Sequence, residues 1–138
     1  MSTSLHKYEM NILESHLDTF GHVNNATYLT LFEQARWDWI TKRGYGLEKI
    51  QRIKQGPVVL DVHLTFRKEL RLRETIMIET QTLSYEGKIG KVSQKMFNQK
   101  NQLACDAVFT FGLFDTEQRK LILPTDDWLI AVGLKELS

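Results

Sequence analysis

Apolar residues change their spacing along the chain, and the change divides the sequence into elements. Over 26–43, Tyr28, Leu31, Phe32, Ala35, Trp39 and Ile40 recur at steps of three and four, which predicts a long helix with one face directed at a core. Asn24 or Asn25 can accept its first free backbone N–H groups as N-cap, and Gly44 and Gly46 supply the conformational freedom that ends it. After Pro57 the period falls to two. Val58, Leu60, Val62, Leu64 and Phe66 alternate with Val59, Asp61, His63, Thr65 and Arg67, the pattern of a strand with one wetter side. Three further β-rich runs follow at 75–85, 91–98 and 103–114, joined by a turn at Glu86-Gly87 and a polar link at Asn98-Gln99-Lys100-Asn101. A short strand at 7–13 and a terminal helix at 125–137, capped by Thr125 or Asp126, complete the order. With no helices left to cross over between strands, parallel pairing is disfavoured. The prediction is an α+β fold in which one antiparallel five-stranded sheet covers the long helix and a short C-terminal helix follows.

Composition narrows the function classes. A chain of 138 residues with 42% hydrophobic content suits one domain spanning 1–138. Lys+Arg number 18 against 17 Asp+Glu, a formal net charge of +1, so no overall field draws the protein to nucleic acid or anionic lipid, and neither is expected as a partner. Cys105 is the only cysteine, which excludes an intramolecular disulfide, and its place among Leu103, Ala107, Phe109 and Phe111 marks it as a small core residue. The histidines His6, His16, His22 and His63 are scattered without an HExxH spacing, and no metal is expected. Residues 1–10 contain His6, Lys7 and Glu9 where a signal peptide needs an apolar run, and nothing approaches the roughly 18 apolar residues of a membrane span. A soluble, cytoplasmic protein is the expectation.

The stretch that carries chemistry is Asp18-Thr19-Phe20-Gly21-His22-Val23-Asn24-Asn25-Ala26-Thr27-Tyr28, which gathers an acid, an imidazole, a glycine turn and a helix start. Hydrolysis of an ester or thioester needs a nucleophile, or a base that activates water, together with donors for the oxyanion. Asp18 can supply the first, and the free N–H groups around Asn25, at the positive end of the helix dipole, the second. Gly21 lets the chain turn sharply into the helix and lets a carbonyl approach the backbone. The same residues also suit an ordinary loop and cap. His22 can either transfer protons or line a pocket. Glu33 and Arg36, three apart on the helix, are placed to form an ion pair. Trp37 and Trp39 cannot both face the sheet.

The run resembles the signature of the hotdog-fold acyl-CoA thioesterases related to 4-hydroxybenzoyl-CoA thioesterase, and within them the long-chain acyl-CoA branch. That branch carries a motif like Asp-x-x-x-His-Val-Asn-Asn-x-x-Tyr-Leu followed by Glu-x-Ala-Arg-Trp, matched here by Asp18, His22, Val23, Asn24, Asn25, Tyr28, Leu29, Glu33, Ala35, Arg36 and Trp37. The resemblance implies a hotdog fold and hydrolysis of acyl-CoA, of medium to long fatty chains if the branch holds. It implies Asp18 as nucleophile or general base and the backbone N–H at Asn25 as the group that polarises the carbonyl. Phe20, Gly21, Val23, Asn24 and Tyr28 then surround the substrate, and Glu33 is a second candidate acid, because another hotdog branch places its carboxylate on this helix. CoA carries phosphates, for which Arg67, Lys68, Lys88 and Lys91 are the expected partners. No cofactor is implied, CoA being part of the substrate. The resemblance further implies a homodimer at minimum, with tetramers left open. Two rivals are a hotdog hydratase or dehydratase, whose Asp-x-x-x-x-His motif is one residue longer than the spacing from Asp18 to His22, and a non-catalytic acyl-CoA sensor.

Overall fold

The computed structural model describes residues 4–136. Six strands form one antiparallel sheet: β1 (His6–Asn11), β2 (Gln55–Phe66), β3 (Thr75–Glu86), β4 (Ile89–Phe97), β5 (Leu103–Asp115) and β6 (Lys120–Ile122). Three helices accompany it: α1 (Asn25–Lys42), α2 (Leu47–Ile53) and α3 (Asp126–Ala131), with a 3-10 turn at Glu14–His16. The strands lie in the order β1-β3-β4-β5-β2, and β6 pairs with Leu113–Asp115 of β5 beyond the end of β4. β3, β4 and β5 form as alternation requires, each burying one row of side chains in the core, whereas β2, at the end of the sheet, stays largely exposed.

Three expectations are corrected. The sheet has six strands, not five: β6 is three residues long, too short to show a period. Helix α2 was not expected, since it has seven residues, none fully buried, and leans on the core only through Ile50 and Ile53. Helix α3 ends at Ala131, well short of 137, with Val132 as C-cap and Gly133 at φ +78° just beyond; residue 137 lies outside the described residues.

The alternation in β2 is also broken, by a β-bulge. Val59 registers with Phe111 and Asp61 with Thr110, which leaves Leu60 as the extra residue. Val62, Leu64 and Phe66 then register with Phe109, Ala107 and Cys105, all buried, while Val58 registers with Gly112. Val58 and Val62 therefore do not share a face, because an odd insertion inverts a period of two.

The core is one cluster built on the inward row of β5 and the inward stripe of α1. Phe32 meets Phe109 edge to face at 6.0 Å, and Trp128 of α3 meets Tyr45 at 4.9 Å and Phe111 at 6.2 Å while its indole donates to the Tyr85 hydroxyl. Cys105 is fully buried, and burial pushes its thiol up to about 12. A polar fastening runs through this apolar layer. Gln94, fully buried on β4, donates from Nε2 to the Phe32 carbonyl and the Thr80 hydroxyl, each at 3.0 Å, and accepts at Oε1 from Arg36 Nη1 at 2.9 Å. The Arg36 guanidinium also lies over the Phe109 ring, 4.2 Å from its centroid. The ion pair expected between Glu33 and Arg36 is absent among the described salt bridges, because Arg36 turns inward to the sheet.

Replacing Gln94 with Leu leaves the half-buried Arg36 guanidinium without its acceptor, and urea unfolding should show a loss of about 2 kcal/mol. Cys105 is fully buried and its thiol is pushed up, so at pH 8 it should stay unreactive to a disulfide reagent until denaturant opens the fold.

Candidate active site

The loop before α1 is short and closed on itself. Leu17 and Val23 form an isolated antiparallel bridge, Asp18 N–H donates to the His22 carbonyl at 2.8 Å, and Gly21 N–H donates back to the Asp18 carbonyl at 3.1 Å. Gly21 sits at φ +78° with nothing within 4 Å of where a Cβ would stand, so glycine is required there by the backbone and not by crowding. Val23 is buried and pins the loop to the core, while Phe20 at the tip is 82% exposed.

Within this loop Asp18 is fixed by its own neighbours. Its Oδ1 accepts from the backbone N–H of Phe20 at 2.9 Å and of His22 at 3.1 Å, and Oδ2 has no hydrogen-bond partner among the described residues. One oxygen holds the side chain and the other stays available. Immediately after the loop, Asn24 is the N-cap of α1: its side chain accepts from Ala26 N–H at 2.9 Å. Asn25 is the first helical residue, and its backbone N–H has no acceptor among the described residues. A free donor at the positive end of an 18-residue helix therefore follows a free carboxylate oxygen by seven positions in the chain.

The surroundings place the other candidates. Tyr28 is buried one turn into α1 and meets Phe66 of β2 edge to face at 5.0 Å; burial pushes its phenol up. His22, Val23, Asn25, Tyr28 and Phe66 line one shallow concavity with Arg67, Lys68 and Glu69. The His22 imidazole lies 3.2 Å from the Glu69 carboxylate, a residue that nothing in the sequence marked, since it joins the site only through the chain's return after β2. Arg67 is held by Asp106 on β5, Nε to Oδ1 at 2.5 Å, which raises its pKa and occupies its charge. Lys68 is free of ion pairs among the described residues. It opens with Arg71 and Lys100 onto a neighbouring groove of about 630 Å³, in which Arg73 is paired with Glu14. Lys100 carries no sequence signal of this placement, because it sits in the polar link between β4 and β5.

Lys88 and Lys91 lie elsewhere in the chain. Lys91 registers with Thr110, whereas Arg67 and Lys68 both donate to the Ala104 carbonyl. Six residues of β5 separate those points, about 20 Å. Glu33 is exposed on α1 and borders a cavity of about 300 Å³ lined by Arg36, Trp37, Trp39, Val59, Phe109 and Trp128 among others. Trp39 is buried and Trp37 is 36% exposed, so the two tryptophans divide between core and surface. The guanidinium of Arg36 is lowered to about 10 by burial and remains charged at neutral pH. Among the described residues no cluster of three or more His, Cys, Asp or Glu side chains could hold a metal ion, and no helix is long and apolar enough to cross a membrane.

A fixed carboxylate followed by a free helix-terminal N–H, beside the open edge of an antiparallel sheet, has the parts of a site for attack on an acyl carbonyl. The thioesterase-like superfamily matches residues 13–132, and the chain belongs to that family; it is an enzyme of the thioester hydrolase class. It is 31% identical over 108 residues to the long-chain acyl-CoA thioesterase FadM of Escherichia coli strain K12, covering 78% of this chain and 81% of that one. Among solved structures it is similar to YbaW, a probable thioesterase from Escherichia coli, with a TM-score of 0.79 and 26% identity over 93% of this chain and 96% of that one. It also shares its fold with the protein SAV2348 of Staphylococcus aureus, solved in complex with CoA, at a TM-score of 0.87 and 14% identity over 100% of this chain and 90% of that one.

Gly21→Ala meets no steric clash, so its cost is that of the left-handed backbone alone. Urea titration should find a loss of about 1 kcal/mol.

Proposed function

We propose that the protein hydrolyses the thioester of medium- to long-chain fatty acyl-CoA, giving the free acid and CoA. The observation that supports this reading is the division of labour at Asp18, whose Oδ1 is tied to the loop while Oδ2 and the Asn25 N–H have no partner among the described residues. The thioester carbonyl oxygen accepts from Asn25 N–H, which draws negative charge onto oxygen as the carbon becomes tetrahedral. Asp18 Oδ2 acts in one of two roles. As nucleophile it bonds to the carbonyl carbon, the C–S bond breaks, CoA leaves as thiolate, and water cleaves the resulting anhydride. As base it takes a proton from a water whose oxygen attacks the same carbon; the tetrahedral intermediate then collapses, the C–S bond breaks, and the sulfur of CoA leaves with that proton as the thiol. Either route consumes one water and needs no cofactor. His22, beside Glu69, borders the site and is a positioning residue in this reading.

The substrate class is supported by an apolar stripe along the open edge. Leu29 and Trp37 on α1 and Val59, Val62 and Phe66 on β2 are each at least 36% exposed, and Phe20 stands at the loop tip. From Asn25 to Trp37 the stripe runs about 18 Å along the helix. FadM, the relative named for long-chain acyl-CoA, supports the same length class.

The working unit in this proposal is a homodimer joined at β2. This strand ends the sheet, and its second edge offers unpaired backbone groups over 12 residues flanked by exposed Leu60 and Val62. Antiparallel pairing of two copies about a two-fold axis sets the 55–59 end of one strand beside the Phe66 end of the other. Val58 registers with Gly112, and the Lys88 carbonyl lies against Gly112, so Lys88 of the partner subunit comes to the Asp18 end. The phosphates of CoA would then lie between Lys68, with Arg71 and Lys100 behind it, and Lys88 and Lys91 of the partner subunit.

Thiol release should be measured over a panel of acyl-CoA chain lengths. Asp18→Asn keeps an acceptor for the Phe20 and His22 N–H groups, so it should fold normally while turnover falls at least about a hundredfold. Full activity in that variant, or no release from any panel member by the wild type, overturns the proposal. Val62→Lys places a charge on the open edge; light scattering should find a monomer, and KM for acyl-CoA should rise severalfold.

A further inference from the structure

The cavity of about 300 Å³ under α1 carries donors that the hydrolysis does not use. Trp39 lines it and is 2% exposed, and its indole Nε1 is the one buried side-chain polar atom among the described residues without a hydrogen-bond partner. Arg36 lines the same space. One of its nitrogens is committed to Gln94, and none lies within ion-pair distance of a carboxylate among the described residues. Glu33 stands at its border, exposed on α1 and in no ion pair with Arg36, and the rest of the wall is apolar, with Ile40, Val92, Phe111 and Trp128 prominent. An unpaired N–H in such a setting forfeits its hydration and regains nothing unless an acceptor arrives with the occupant. A saturated hydrocarbon would satisfy the apolar wall and leave the indole unmatched.

We propose that this cavity receives the distal part of an acyl group that carries an oxygen, as hydroxyl or ketone, and that Trp39 Nε1–H donates to it. Trp39 is then a specificity-determining residue, and the enzyme selects oxygenated acyl-CoA over the saturated chain of the same length. The proposal rests on the acyl-CoA hydrolysis described above. Leu29 and Trp37 are exposed on α1 between Asn25 and Trp39, Trp37 lines the cavity, and Trp39 stands about 21 Å along α1 from Asn25, a reach that calls for a long chain.

The test compares hexadecanoyl-CoA with its omega-hydroxy and mid-chain hydroxy counterparts. For at least one hydroxylated substrate, kcat/KM should exceed that of the plain chain by about three- to tenfold, the worth of one neutral hydrogen bond. Trp39→Phe keeps an aromatic ring without the donor, and the ratio should fall to about one. Calorimetry with the free hydroxylated and plain acids, on both proteins, gives the same ratio without turnover. Equal preference in the wild type, or a preference that survives in Trp39→Phe, overturns the inference. If no acyl-CoA is hydrolysed the functional proposal fails, and the ratio of acid affinities still decides this one.

Discussion

The carboxylate of Asp18 has two oxygens, and the fold treats them differently. Oδ1 is tied to the backbone N–H groups of Phe20 and His22, so the loop and the side chain hold each other in place. Among the described residues Oδ2 is left without a partner, and so is the backbone N–H of Asn25 at the head of α1. The rest of the molecule serves that arrangement. The bridge between Leu17 and Val23 closes the loop, the Asn24 cap fixes where the helix begins, and Gly21 supplies the one backbone conformation that lets the chain turn between them.

A helix end is useful for chemistry only if the helix cannot slide. The inward stripe of α1 packs Leu31, Phe32, Ala35 and Trp39 against the sheet, but apolar contacts alone tolerate small shifts along the axis. The bonds from Gln94 to the Phe32 carbonyl and from Arg36 to Gln94 are directional, and they tie the middle of α1 to β4 at one register. Burying a charged group there has a cost, offset by a satisfied network and by stacking on Phe109. The Asp18 loop and the buried fastening are thus held by one helix.

Much of this was legible in the sequence. The three- and four-residue steps of the apolar residues placed α1 within one residue at each end, 26–43 against Asn25–Lys42, because packing on a core imposes that period. The Asp18 to Asn25 stretch was legible as well, since a turn, a cap and an acid each have a residue signature. What escaped was what depends on long-range register or short length. The bulge at Leu60 leaves an alternating sequence looking unbroken although it inverts the strand. β6 and α2 are too short for a period. Which basic residues lie near Asn25 depends on how strands pair: Lys68 shares its concavity, Lys91 lies some 20 Å off along β5 in the same chain with Lys88 farther still, and Arg67 is claimed by Asp106 of the neighbouring strand. The inward turn of Arg36 was hidden because Glu33 offered a nearer partner in sequence.

The central claim is that the Asn25 N–H and Asp18 Oδ2 converge on one carbonyl. A crystal structure with a ketone analogue of a long-chain acyl-CoA, in which a methylene replaces the thioester sulfur's link to the carbonyl, reads this directly. The account predicts the ketone oxygen about 2.7–3.1 Å from the Asn25 nitrogen, with its carbon facing Asp18 Oδ2. A ketone bound elsewhere, or one whose oxygen takes its hydrogen bond from another donor while Asn25 N–H stays free, would contradict it.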